Sequence, residues 1–198
     1  MPKSATTQEE GKPALREHIL NIADELFYRS GIRATGVDAI IAQSGIAKTT
    51  LYRYFASKDD LVVAYLERRN QRFWELLEAE IAKYSQPGEQ LLAVFQWLDE
   101  LMAKPDCLGC PFLMTSSEFG ELDYPGHQVA IRHKEAVLER LVQLSEQAGI
   151  KNSHELAISL LLLIDGAFAQ RRLFGAVTGV SLVKVAGILI NEHFRISR

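Results

Sequence analysis

The sequence predicts an all-α protein of about nine helices, and three observations carry that expectation. Apolar residues recur at three-to-four spacing along nearly every segment. The strict alternation of a half-buried strand is hardly seen. The breaks between segments fall at glycine, proline or helix-capping residues. With 198 residues, 47% of them hydrophobic and 24% charged, the chain can bury one large core or a small domain plus a larger one.

Met1 to Lys12, "MPKSATTQEEGK", has no apolar run, so residues 1–13 read as a short disordered arm without a secretory signal. Leu15, Ile19, Ile22, Ala23, Leu26 and Phe27 stripe a first helix that stops near Gly31. Val37, Ile40 and Ile41 mark a short second helix ending before Gly45, and Leu51, Tyr52 and Phe55 an equally short third. Ser57 opens a long helix, with Asp60 spaced as its capping-box acid, and apolar positions from Leu61 to Ile81 carry it to the break at Pro87 and Gly88. "EQLLAVFQWLDELMAK" follows, then a loop around Pro105 and a short helix in "PFLMTSSEF", with Pro111 suited to its first turn. Beyond "GELDYPG" comes the helix "HQVAIRHKEAVLERLVQLSEQAG". Asn152 and Glu155 are spaced as a capping box for the next helix, "GAVTG" interrupts, and Ser181 caps the last, which ends near Phe194. The expected domains are 14–56 and 57–198.

The longest apolar run, Leu156 to Ala169, is broken by Asp165 and too short to cross a bilayer, so no membrane partner is expected. Two cysteines without an export signal fit a reducing, cytoplasmic setting. The formal net charge of −3 hides a split. Met1 to Lys58 holds eight basic and six acidic residues, a balance of +2, whereas the remainder holds fourteen and nineteen, a balance of −5. A mildly positive head on an acidic body is compatible with DNA binding by a small module.

Val37 to Phe55 has the dimensions of a helix-turn-helix, with Gly45 at the turn. With Ile40, Ile41, Ile46 and Leu51 turned inward, the second helix presents Lys48, Thr49, Thr50, Tyr52, Arg53 and Tyr54. Cations and hydroxyls suit phosphate oxygens, and an arginine can fork onto guanine in the major groove. On spacing alone, an ordinary helical hairpin with a solvated basic face fits equally well.

"ADELFYRSG" followed by "ATGVDAIIAQSGIAKTTLYRYFASKDDL" resembles the DNA-binding domain of the tetracycline-repressor (TetR) family of bacterial transcriptional regulators. The resemblance runs unbroken from about Ile19 to Leu66 and decides between the two alternatives in favour of DNA. It implies that Lys48, Thr49, Thr50 and Arg53 reach the groove, that Tyr52 and Tyr54 touch backbone and sugar, and that Lys58 and Thr35 contact phosphate. This sequence departs from the family pattern at Ala47, where a capping serine is common, and at Gly36, where a hydroxyl residue is common.

The resemblance also implies a homodimer on a palindromic operator in double-stranded DNA, paired through the last two helices. Leu160 to Ile164 with Val183, Ile188, Leu189 and Ile190 are apolar beyond one stripe, which suits that use or burial in a single core. A small-molecule effector bound among the carboxyl-terminal helices would release the repressor, and Trp97, Met102, Phe112, Met114, Phe119, Asp165 and Phe168 are its candidate contacts. Asp165 is first expected in an ion pair with Arg171 or Arg172. Cys107 and Cys110 have redox or metal-ligand spacing, but four ligands for a structural zinc are not at hand. The sequence therefore predicts a ligand-responsive transcriptional repressor with no cofactor, no metal and no enzymatic activity. A thiol-redox or electrophile-sensing regulator through Cys107 and Cys110, or a helical enzyme, are the alternatives.

Overall fold

A computed structural model describes residues 11–175 and 181–196. Among them are nine helices: α1 Gly11–Ser30, α2 Val37–Ser44, α3 Lys48–Tyr54, α4 Lys58–Ile81, α5 Pro87–Ala103, α6 Pro111–Glu118, α7 Pro125–Gln147, α8 Ser153–Phe174 and α9 Leu182–Ile196. No strand occurs among the described residues. Helix α1 begins at Gly11, three residues before the expected domain start, and the rest of the expected arm lies outside the described residues, as does most of "GAVTG".

The chain divides into two compact units, and the division departs from the expected boundary after residue 56. One unit holds the residues up to Arg68 together with Met114–Val129; the other holds Arg69–Leu113 and the residues from Ala130 onward. Helices α4, α6 and α7 each start in one unit and finish in the other. A stretch some fifty residues beyond the first block thus folds with it, which no periodicity could announce.

The first unit is built on the apolar stripe of α1. Ile19, Leu20, Ala23 and Phe27 are buried together with Ile40, Leu51, Phe55, Leu61, Val62, Tyr65 and Leu66. Phe27 meets Tyr65 edge-on at 5.6 Å between ring centroids. Arg68 ties α4 to α1, donating to Asn21 Oδ1 at 2.6 Å and to the Leu20 carbonyl at 3.0 Å. Ser57 caps α4 as expected: the Asp60 amide donates to its Oγ at 3.0 Å, and its hydroxyl donates to Asp60 Oδ2 at 2.9 Å.

In the second unit α9 packs against α5 and α8. The buried residues include Leu91, Phe95 and Leu98 of α5, Val137, Leu141 and Leu144 of α7, Leu156, Leu160, Ile164 and Phe168 of α8, and Leu182, Ala186 and Ile190 of α9. Of two expected side-chain caps, one is missing and one is supplied from elsewhere. Asn152 precedes α8 without a side-chain hydrogen bond to its amides. The first turn of α9 is capped from another helix, because Asp99 of α5 accepts the Leu182 amide at 3.0 Å and the Val183 amide at 3.2 Å. Ser181 gives its hydroxyl hydrogen to the same carboxylate at 2.6 Å. A carboxylate on two free amides at a positive helix end is a charge-assisted cap. Asp99→Ala is therefore expected to lower unfolding stability by about 1–3 kcal/mol, with Asp99→Asn in between, as read by urea denaturation.

Candidate nucleic-acid interface

The turn between α2 and α3 is made by Gly45, whose φ of 66° lies in the left-handed region where a Cβ is strained. Ser44 stabilises the end of α2, its hydroxyl donating to the Ile40 carbonyl at 2.7 Å. The Ser44 carbonyl in turn accepts His18 Nε2 of α1 at 3.1 Å, so the turn is pinned from a second helix. Ile40 and Leu51 are fully buried, with Ile41 and Ile46 half-buried, and together they fix α3 against its neighbours. Phe55 ends α3 in extended backbone and turns inward.

With Leu51 and Phe55 committed to the core, Lys48, Thr49, Tyr52 and Arg53 are exposed, while Thr50 and Tyr54 are half-buried. Tyr52 keeps 42% of its surface exposed, so its ring and hydroxyl are open to a partner on this face. The Arg53 guanidinium lies 5.2 Å from the Tyr54 ring centroid, which steadies it while leaving its donors outward. Lys48 Nζ is 3.4 Å from Asp38 Oδ1 of α2, a solvated pair that holds the lysine lightly. Ala47 before α3 and Gly36 before α2 supply no side-chain cap, so the first amides of both helices lack that partner.

Two residues expected at phosphates are placed otherwise. Thr35 is only 4% exposed, and its hydroxyl donates to the Gly31 carbonyl at 2.7 Å, closing the end of α1. Its hydrogen is thereby spent within the fold. Lys58 folds back to donate to the Ile32 carbonyl at 2.6 Å. Burial lowers its pKa from the ordinary lysine value, opposed by the negative charges of Asp59 and Glu118. The Thr35 bond is local, to a carbonyl four residues back, whereas the Lys58 bond spans 26 positions and leaves no periodic signature.

The expected effector contacts divide between the units. Trp97, Met102, Phe112, Asp165 and Phe168 belong to the second; Met114 and Phe119 belong to the first. The Phe119 ring stacks on Tyr124 at 4.0 Å and lies 4.6 Å beneath the Arg33 guanidinium. In the second unit Phe112 stacks on His133 at 3.6 Å, and Trp97 meets Phe73 edge-on at 5.4 Å. Asp165 pairs with Lys134 of α7, not with Arg171 or Arg172 as expected. Arg171 instead is buried and donates to the Lys104 carbonyl at 3.0 Å. Cys107 and Cys110 are free and buried, and burial pushes the Cys110 thiol up, away from the thiolate that electrophile or redox chemistry needs. No group of three or more metal-type side chains is found among the described residues, and no described helix is long and apolar enough to cross a membrane.

Comparison with known proteins meets this geometry at the same place. Residues 19–65 match the family of bacterial regulatory proteins of the TetR type. A solved TetR transcriptional regulator from Streptomyces avermitilis is 30% identical, with 91% of this chain and 98% of that one covered at a TM-score of 0.78. The chain belongs to the TetR family. A second family member, from Streptomyces coelicolor, superposes with a TM-score of 0.83 at 27% identity, over 92% of this chain and 95% of its own. Among curated proteins, the Escherichia coli repressor NemR is 30% identical over 112 residues, 54% of this chain and 55% of NemR. The chain spans between 24% and 62% of the length of the curated relatives it matches. As in other TetR proteins, an all-α chain here begins with a helix-turn-helix.

Proposed function

We propose that this TetR-family chain is a transcriptional repressor that binds a palindromic operator as a homodimer and leaves it when a small molecule binds the second unit. The α3 surface carries the reading. Lys48, Thr49, Tyr52 and Arg53 face outward from a helix whose opposite side, Leu51, is fully buried. That surface supplies two cations, a hydroxyl and an aromatic plane on a helix of 7 residues, and such a helix fits a major groove. Thr50 and Tyr54 border the same face; Thr35 and Lys58 each bond the turn before α2, and the half-buried Lys58 ammonium keeps two further hydrogens. Among the relatives NemR is named a repressor and a Bacillus subtilis protein a fatty acid metabolism regulator, which supports a regulatory role here.

A single helix-turn-helix reads too few base pairs for specific control, hence the dimer. Along α8 the exposed residues Ile158, Leu162, Gly166, Ala169 and Leu173 form one continuous face, and Ile188 of α9 is exposed as well. Exposed apolar helix faces of this kind suit a four-helix interface between two copies. For the effector, Trp97, Met102, Phe112, Asp165 and Phe168 remain the candidate contacts. The thiol alternative is disfavoured by the burial of both cysteines.

The test is an electrophoretic shift with the DNA upstream of the protein's own gene. Arg53→Ala is expected to weaken specific binding by about 10–100-fold, the worth of a bidentate base contact. Lys48→Ala should weaken specific and random fragments alike and reduce the salt slope by about one. Binding unchanged in both variants, or none by the native chain at low salt, would refute the assignment.

A further inference from the structure

The turn between α1 and α2 is held by a residue more than eighty positions away, within the same unit. Glu118 ends α6, and its two carboxylate oxygens accept the amide of Ile32 at 3.1 Å and that of Arg33 at 2.7 Å. Arg33 returns the contact, donating through Nε to the Glu118 carbonyl at 2.6 Å. Gly31 makes the approach feasible: its φ is +91°, and a Cβ there would stand 3.1 Å from Glu118 Oε1. On the opposite side of the same peptide group, the Ile32 carbonyl accepts Lys58 Nζ at 2.6 Å.

One peptide unit, Ile32–Arg33, is therefore held at its N–H by a carboxylate and at its C=O by an ammonium. Its chain leads straight into α2, and Lys58 is the first residue of α4. Apolar packing tolerates sliding, but charge-assisted bonds to adjacent amides fix position and direction. A second tie supports the first, since Tyr124 Oη donates to Asp59 Oδ1 at 3.0 Å, next to Lys58. Glu118 closes α6 inside the same unit as the head, so the whole clamp lies within one compact body.

We propose that Glu118 is the positioning residue of the DNA-reading head. Through the Ile32–Arg33 peptide and Lys58 it sets where α2 and the start of α4 stand, so operator affinity depends on a carboxylate that itself meets no DNA. The proposal rests on the DNA-binding reading above and specifies how that reading is controlled.

The experiment compares the full-length native chain with Glu118→Gln, which keeps the shape and removes the charge. Amide hydrogen exchange over residues 31–36 is measured without DNA, and binding is titrated on the fragment upstream of the gene. Exchange at Ile32 and Arg33 is expected to quicken at least tenfold, and operator binding to weaken about tenfold with an unchanged dimer mass. The sign discriminates, because losing an acid from a DNA-binding surface would by charge alone tighten binding. In a Lys58→Ala background the Glu118→Gln loss should shrink below threefold, since the two act on one peptide. Freed amides with operator affinity within twofold of native, or tighter, overturn the positioning role alone. No binding by the native chain overturns the DNA-binding reading and this role with it. If Glu118→Gln does not fold, Glu118→Asp is measured on the same readouts, since it keeps the charge but shortens the reach. Quicker exchange at Ile32 and Arg33 with weaker operator binding then supports the role, and quicker exchange with native affinity overturns it.

Discussion

Glutamate at both Leu162 and Ile188 is expected to convert the dimer to a folded monomer and to reduce operator binding by about a thousandfold or more. Leu162 is 69% exposed on α8 and Ile188 61% exposed on α9, so neither substitution disturbs the core of the single chain. In a two-fold interface each would recur, placing four carboxylates in a surface that must become dry. Burying unpaired charge costs several kcal/mol per site, more than a standard interface has to spare. A monomer then reads one half-site and loses the second head's contribution, which is near the whole margin between specific and random binding. Sedimentation gives the mass, circular dichroism the fold, and the shift assay the affinity. A variant that stays dimeric, or a monomer that still holds the operator as tightly as the native protein, would show that α8 and α9 are not the pairing surface.

That surface illustrates what the sequence can and cannot disclose. Excess apolar character in Leu160–Ile164 and in the last helix was legible, but its division was not. Leu160, Ile164 and Ile190 are buried, whereas Leu162 and Ile188 point outward. Helical phase separates the two sets only once neighbouring helices are placed. Element boundaries were readable wherever a local signal exists, as at Gly45, Ser57 and Pro111. At α8 and α9 the starts fall where Asn152 and Ser181 place them, but the capping bonds do not: Asp99 serves α9 from α5, and the Asn152 side chain bonds no amide of α8.

At the site the same rule holds. The outward face of α3 follows from periodicity and one glycine turn, so its four exposed residues were within reach of the sequence. Thr35 and Lys58 were assigned by family pattern to phosphates, yet both are engaged by the turn at Gly31–Arg33. Arg33 and Glu118 passed unnoticed because a carboxylate 85 positions from its amide partner leaves no periodic or motif signature. Asp165 found Lys134 on a different helix for the same reason. Long-range polar pairing is decided by topology, and topology is what a single sequence states least directly.

The protein's stability is expected to fall with acid below pH 6.5 in a way that one side chain controls. His133 of α7 is only 4% exposed, with Phe112 stacked on its face at 3.6 Å. Its tautomer follows from donors alone. Trp74 Nε1 can only donate, and it reaches Asn70 Oδ1 at 3.0 Å, so that atom is the amide oxygen. His133 Nδ1 meets the same oxygen at 2.8 Å and therefore carries its hydrogen. The ring is neutral, and burial, reinforced by the adjacent Lys134 charge, lowers its pKa to about 3. The unfolded chain takes up this proton near pH 6.5, whereas the folded chain holds off until about pH 3. Between those limits the unfolded state binds more protons, so stability is complete above pH 6.5 and declines as pH falls, by about 1.4 kcal/mol per unit. Urea unfolding at pH 7 and pH 5 should thus show the native protein losing roughly 2 kcal/mol from this group, beyond what its carboxylates contribute. His133→Asn cannot titrate and removes that component, though it is less stable at pH 7 through lost ring stacking. Parallel pH profiles for the two proteins would mean that His133 already reaches solvent in the folded state, and that the aromatic cluster around it opens more readily than its packing implies.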